Sequence, residues 1–182
     1  MVTFFSFLNK SLKRLLILLP LIVGLIFNPI SANALYPSDP SSVDVLKEDL
    51  HGKDLQNTEY VKYDLSGQDL GEANLQGAYM SVTTAKNASF KGANMKDLIA
   101  YATRFDNADL SDANLTNGEL MKSVFDGANI DGADFTDANL DLKTRKSLCE
   151  RATGTNSQTG VNTVDSLECA GLKGYTPPKP KA

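Results

Sequence analysis

Between Glu48 and Leu142 the large apolar residues keep a period of five. Leu, Ile, Met, Phe and Tyr fill 17 of the 19 positions numbered in multiples of five, from Leu50, Leu55 and Tyr60 to Ile130, Phe135 and Leu140, and only 7 of the other 76 positions. A helix would repeat near 3.6 residues and a strand at 2, so a period of five belongs to neither and predicts a solenoid. Two residues before the central position stands Ala, Gly, Ser or Thr in 14 of the 19 pentads, as in Ala73-Asn74-Leu75, Ala113-Asn114-Leu115 and Ala138-Asn139-Leu140.

The physical reading is that each pentad forms one short side of a coil, with the large central residue and the small one both turned inward. The residue between them and the two that follow face water, hence Asp, Asn, Ser, Lys and Gly there. Gly67, Gly77, Gly92, Gly127 and Gly132 fall where corners must turn. No proline occurs from Ser41 to Thr176, as expected of coils that donate backbone hydrogen bonds to one another. Asp and Asn columns up the sides are expected to bond along the stack.

This pattern resembles the pentapeptide-repeat family, whose motif is written A(D/N)LXX, over residues 48–142. The resemblance implies an all-β solenoid, a right-handed quadrilateral β-helix with four pentads per coil. Alignment in twenties supports the four independently. The better motifs fall in two adjacent columns, one with Leu70, Phe90, Leu110 and Ile130 at its core positions, the other with Leu75, Met95, Leu115 and Phe135. Nineteen pentads then make about 4.75 coils, a prism roughly 23 Å tall at about 4.8 Å per coil. Glu48, Lys53, Tyr63 and Gln68 stand where a small inward residue belongs, so the first coil is expected to be irregular; Leu98 is a further exception.

Solenoid ends need covers. Ser41-Ser42-Val43-Asp44 followed by Val45 and Leu46 predicts a short capping helix within the 35–47 segment. After the repeats, Lys143–Arg151 reads as a helix, and a second runs from Thr163 to Cys169, giving an α-helical cap over 143–170. Residues 171–182, with Pro177, Pro178, Lys179, Pro180 and Lys181, read as an exposed, extended tail.

Residues 1–34 carry Lys10, Lys13 and Arg14, an apolar run from Leu15 to Phe27 and Ser31-Ala32-Asn33-Ala34, the form of a signal peptide cleaved between Ala34 and Leu35. The rival reading is an uncleaved anchor, but the run of about 13 residues is short for a bilayer and Pro20 and Gly24 interrupt it. The expectation is export, to a thylakoid lumen or a periplasm, with membrane contact only in transit. There a disulfide between Cys149 and Cys169 is expected, with buried free thiols or a metal site as alternatives; two cysteines without a nearby histidine make a poor metal site. The stretch from Leu148 to Cys169 looks like the C-terminal segment of exported pentapeptide-repeat proteins of cyanobacteria and of their plastid relatives in the thylakoid lumen.

Charge and composition narrow the function. Of 18 Lys and Arg, three lie in the first 34 residues, so the remaining 15 against 22 Asp and Glu leave a net charge of −7, unlike a backbone-tracking nucleic-acid binder. One histidine and two cysteines offer little to an enzyme, and no cofactor or metal is expected. His51 reads as a solvated surface residue; Asp109 and Asp134 read as solvated corners, without the nonapeptide period of calcium-binding β-rolls. Function then lies in surfaces: a non-enzymatic module presenting a flat face to an unidentified protein partner or to itself, with no nucleic-acid ligand. The alternative, drawn from gyrase-inhibiting relatives, is a DNA mimic acting on a DNA-binding protein such as gyrase. The two columns with poorer motifs carry Val61, Tyr79, Val82, Ile99, Tyr101, Met121 and Val124 at outward positions, and Tyr79, Ile99, Tyr101 and Met121 form the candidate interaction stripe. Export is checked by intact-mass measurement on native protein: the first residue is expected to be Leu35, and a retained Met1 would refute cleavage.

Overall fold

The computed structural model describes residues 49–177. The expected signal peptide, its Ala34–Leu35 cleavage site, the helix expected around Ser41–Leu46 and the final prolines and lysines lie outside those residues. From Asp49 to Leu140 the chain repeats one five-residue unit, two turn residues followed by an extended stretch with a single parallel bridge. Each bridge joins residues twenty apart, from Asp54 with Asn74 to Glu119 with Asn139, so four pentads close one coil.

Backbone hydrogen bonding explains why five residues make a stable side. In Ala108–Asp112, Ala108 N–H donates to Phe105 in the preceding turn (3.0 Å) and Asp109 N–H to Ala88 of one neighbouring coil (2.9 Å). Leu110 and Asp112 donate to Asn129 and Asp131 of the other coil (2.8 and 2.9 Å). Only Ser111 N–H, aimed along the outer surface, lacks a backbone acceptor, and the Asp109 side chain accepts it at 3.0 Å. A short side-chain oxygen one residue before the central position therefore completes the pentad, and that is the physical meaning of Asp or Asn there. The same bond recurs at Asp69 with Gly71 (2.9 Å) and Asn114 with Thr116 (3.0 Å). The Asn side chains also bond up the stack, Asn94 donating to Asn74 at 3.0 Å and Asn129 to Asp109 at 3.0 Å.

The core is the set of inward columns. Leu70, Leu75, Phe90, Met95, Leu110, Leu115, Ile130 and Phe135 are all buried, while Leu50, Leu55 and Leu140 at the two ends are only partly so. Leu98 is fully buried beside a central Ala100, so that pentad exchanges its large and small inward residues. Phe105 and Phe125 stack at 5.1 Å between ring centres, and Phe90 meets Phe105 edge to face at 5.6 Å. One corner carries a buried hydroxyl ladder: Thr83, Thr103 and Ser123 donate to the carbonyls of Tyr60, Met80 and Ala100 in the coil before.

The first coil departs from expectation. Its backbone is regular from the Asp54 bridge onward, because the ladder needs only the backbone; Lys53 simply turns its side chain into solvent. Asp134 is likewise no solvated corner. It is buried, with Thr136 closing over its carboxylate through both N–H (2.9 Å) and hydroxyl (2.6 Å).

Beyond Leu140 the chain caps the last coil. Helix α1 (Leu142–Cys149) is shorter than the Lys143–Arg151 expected and buries Leu148 and Cys149. Helix α2 (Thr163–Ser166) does not run to Cys169: Glu168 takes a left-handed conformation (φ 53°), and a 3₁₀ turn, Cys169–Gly171, follows. That break turns Cys169 toward α1, where it is disulfide-bonded to Cys149 with 5.6 Å between their Cα atoms. The cap supplies the hydrogen bonds that a further coil would have given. Thr153 carbonyl accepts Gly132 N–H (2.8 Å), Ser166 hydroxyl accepts Phe135 N–H (3.0 Å), and the half-buried Arg151 donates to Phe125 and Ala128 carbonyls. Residues 171–177 are not wholly extended tail either, since Leu172 and Tyr175 pack against the core.

A hairpin bridged between Thr155 and Asn162 straps the cap down the side of the prism. The strap starts at Gly154, where φ is 81° and an added Cβ would lie 2.5 Å from the Asp131 carboxylate and 2.6 Å from Gly132 nitrogen. Asn156 is its anchor. Buried at 1% exposure, its amide donates to the carbonyls of Asp112, Ala113 and Gly132, and its oxygen accepts Gln158 and Thr159 N–H groups. Asn156→Ala is expected to destabilise the protein by about 2 kcal/mol by stranding these groups, read as a lower denaturation midpoint; an unchanged midpoint would show the strap to be ornamental.

Candidate interaction face

The four sides of the prism differ in what they place outward. Three of them follow one rule at the corner that ends each pentad, where the backbone is left-handed: Gly, Asn, Asp or Glu stands there, as at Asn57, Gly67, Glu72, Gly77, Asn87, Gly92, Asp97 and Asn107. The fourth side, centred on Tyr60, Met80, Ala100 and Leu120, has Lys62, Val82, Ala102 and Lys122 with φ between 55° and 63°. A branched side chain in that conformation is strained by roughly 1–2 kcal/mol, and Val82 nonetheless stands there 53% exposed.

The same side breaks the second rule. Where the other sides put a short Asp, Asn, Ser or Thr before most central residues, this one puts Glu59, Tyr79, Ile99 and Glu119, which bridge to one another in sequence up the stack. None of these offers the short oxygen that accepts the N–H two residues on. Among the described residues no such acceptor stands opposite the N–H groups of Val61, Ser81, Tyr101 and Met121. Two local rules are given up together on one face.

What occupies the face is apolar. The exposed large apolar residues of the described chain are Tyr79 at 47%, Val82 at 53%, Tyr101 at 42% and Leu142 at 55%; three stand on this side and Leu142 at its upper edge. Ile99, Met121 and Val61 are partly exposed beside them. The stripe read from sequence over two columns is thus gathered on one side, apart from Val124, which belongs to the next. Lys122 lies over the Tyr101 ring, 5.0 Å from its centre, so its ammonium and the aromatic surface form one patch. Glu119 accepts the Asn139 amide at 2.8 Å.

Elsewhere the outward chemistry is self-contained. On the neighbouring side Arg104 holds Asp106 in a two-point bridge at 2.8 and 2.9 Å, which keeps that carboxyl below the usual carboxylate range. His51, half exposed, is not isolated in solvent. It lies 3.4 Å from Asp69 and 4.0 Å from Glu72, and Asp69 is held low first by the Gly71 N–H and then by that imidazole. A shallow hollow of about 410 Å³ beside the strap is lined by Glu72, Lys91, Gly92, Asn94, Asp112, Ser157 and Gln158; Gln158 spans it to the Gly92 carbonyl at 2.8 Å. Among the described residues no three His, Cys, Asp or Glu side chains are grouped to hold a metal ion.

The protein is therefore a four-sided β-solenoid with one apolar side. It belongs to the pentapeptide-repeat family: the family's sequence profile, described as pentapeptide repeats, matches in eight copies over residues 64–97 and 103–141. Members of this family fold as right-handed quadrilateral β-helices. Among individual proteins, the chain is 58% identical over 43 residues to thylakoid lumenal protein TL20.3 of Arabidopsis thaliana, a stretch that is 24% of this chain and 15% of that protein. It is 30% identical to a pentapeptide repeat protein of the A. thaliana thylakoid lumen, covering 74% of this chain and 95% of the solved one, with a TM-score of 0.28. HetL, a pentapeptide repeat protein involved in heterocyst differentiation regulation in Nostoc sp. strain PCC 7120, is 26% identical, with 56% and 43% of the two chains covered and a TM-score of 0.45.

The strain at the apolar corner is open to measurement. Val82→Asn, which places a side chain at ease in the left-handed region, is expected to stabilise the isolated protein by about 1 kcal/mol, seen as a higher melting temperature. A lower one would mean that Val82 packs favourably within the fold.

Proposed function

We propose that this chain is an exported, non-catalytic interaction module of the thylakoid-lumen type, about 4.75 coils tall, that binds a protein partner through the side bearing Tyr79, Ile99, Tyr101 and Met121. One observation carries the reading: the exposed aromatic and branched residues of the coils lie together on the one face that sacrifices both its corner residues and its side-chain hydrogen bonds. Apolar patches rimmed by charge on an otherwise polar surface mark sites of association. The lumenal compartment is supported by the likeness to TL20.3 and by the buried Cys149–Cys169 bond, a linkage suited to an oxidising compartment.

The test is Tyr101→Ser with Met121→Ser, introduced into the organism and followed by crosslinking in the native compartment. Circular dichroism and melting temperature are expected to stay close to wild type while the crosslinked species disappears. Unfolding of the double variant would make these residues part of the core, and undiminished crosslinking would put the binding surface elsewhere.

A further inference from the structure

The charges that frame the apolar side have an order. At the levels of Tyr60 and Leu120 the margin preceding the central column carries Glu59 and Glu119, and the margin following it carries Lys62 and Lys122. At the two levels between them the same margins carry Tyr79 with Val82 and Ile99 with Ala102, and Tyr101 stands between the margins. Over the four levels from Tyr60 to Leu120 acid thus stays on one margin and base on the other, with the apolar residues enclosed; at the level above, the Asp141 carboxylate accepts Lys122 N–H at 2.6 Å. Hydrogen bonds tie the basic margin up the stack as well, Lys62 N–H to Ser81 at 3.1 Å, Val82 to Tyr101 at 2.9 Å and Ala102 to Met121 at 3.0 Å, so both margins run straight along the prism.

We propose that the occupant of this face is a second copy of the chain, related by a two-fold axis parallel to the stack. The inference rests on the reading of this side as an interaction surface and adds the identity and orientation of what binds it. A two-fold axis in the plane of the face and along the prism sets each level against the same level of the mate with the margins exchanged. Glu59 then meets Lys62, Glu119 meets Lys122, Tyr79 meets Val82 and Ile99 meets Ala102 with Tyr101 beside it, and each contact occurs twice. The other two-fold choice, across the prism, sets like margins together: Glu59 opposite Glu119 and Lys62 opposite Lys122. Like charges placed opposite one another destabilise, so the pattern selects one of the two orientations and penalises the other.

The size of the face sets the strength. The four levels from Tyr60 to Leu120 span only about 14 Å at roughly 4.8 Å per level, well short of a face burying about 800 Å² per partner. The dimer is accordingly weak, dissociating in the micromolar range or above, and loosened by salt.

Sedimentation velocity on the protein in the form the cell accumulates, from micromolar to millimolar concentration, is expected to show a reversible monomer–dimer equilibrium. Glu119→Lys and Lys122→Glu, each alone, are expected to weaken dimerisation about tenfold or more with melting temperatures near wild type. An equimolar mixture of the two variants is expected to recover the wild-type association, because the heterodimer restores both pairs. A wild-type monomer throughout, a dimer indifferent to either charge reversal, or a mixture no better than its components would each overturn the proposal. If the wild type is monomeric while Tyr101→Ser with Met121→Ser still abolishes crosslinking to another protein, the face is an interaction surface and self-pairing is wrong. If crosslinks instead join this face to residues 35–48 of the same chain, the chain covers itself, and both the second copy and the interaction reading fall.

Discussion

The structure depends on finding acceptors for the four backbone N–H groups that each five-residue side turns toward its neighbours. Two donors go to the coil on one side, one to the coil on the other, and one closes the turn. The fifth points outward, where a side-chain oxygen one residue before the central position takes it in pentads such as that of Asp109 and where the apolar side leaves it to solvent. Much of the repeat's composition follows from this geometry. Asp and Asn precede Leu because their oxygens have the right reach; Gly, Asn and Asp end the pentad because the corner backbone is left-handed. The large central residue is fixed by the interior, and the residue two before it is small because the chain of the adjoining side passes there. These constraints act within one pentad and its neighbours in the stack, so each side of the prism can vary without disturbing the others.

The last coil is where this independence ends. A solenoid presents a full set of unpaired backbone groups at its terminus, and they are met here by residues with no repeat of their own. Thr153 and Ser166 take N–H groups of the last coil, Arg151 fills carbonyls, and Asn156 ties the cap to carbonyls more than twenty residues back in the chain. The disulfide joins the end of α1 to the start of the 3₁₀ turn and constrains a cap whose two helices are too short to hold their own shape. The apolar layer of Leu148, Ala152 and Leu167 above the last coil extends the core, so stacking and capping form one apolar cluster.

The stack was legible because its signal is repetitive. The five-residue period and the twenty-residue alignment of the better motifs correspond to the bridge separation found at every level. The face was half legible: the apolar outward residues stood out, but their collection on one side needed the register, and Val124 fell outside it. The hydroxyl ladder at Thr83, Thr103 and Ser123 left a mark in the twenty-residue spacing, hidden because Thr and Ser also serve as merely small residues. The cap was least legible. Its strap, Gly154 to Gly160, has the composition of any polar loop, and the value of Asn156 lies in carbonyls that no local pattern reveals. Glu168 gave no sign of its left-handed turn, so α2 was expected to run on to Cys169.

Net charge by itself points two ways, toward solubility or toward imitation of a polyanion, and the arrangement of the charges separates them. A surface imitating duplex DNA must present dense negative charge along its length. Here the best-formed outward column reads Asp54, Asn74, Asn94, Asn114, Asp134, and Asn94 donates to Asn74, which donates in turn to Asp54. Carboxylates at every level would repel and have no donor to offer; the Asn74 and Asn94 amides supply one at the two lowest steps, so stacking there dilutes the acid. On the apolar side Glu59 and Glu119 are matched by Lys62 and Lys122, and Asp141 at its upper end adds one acid. Much of the negative charge on this prism thus follows from the turn chemistry on three sides, and the side freed from that chemistry carries charges of both signs around an apolar centre.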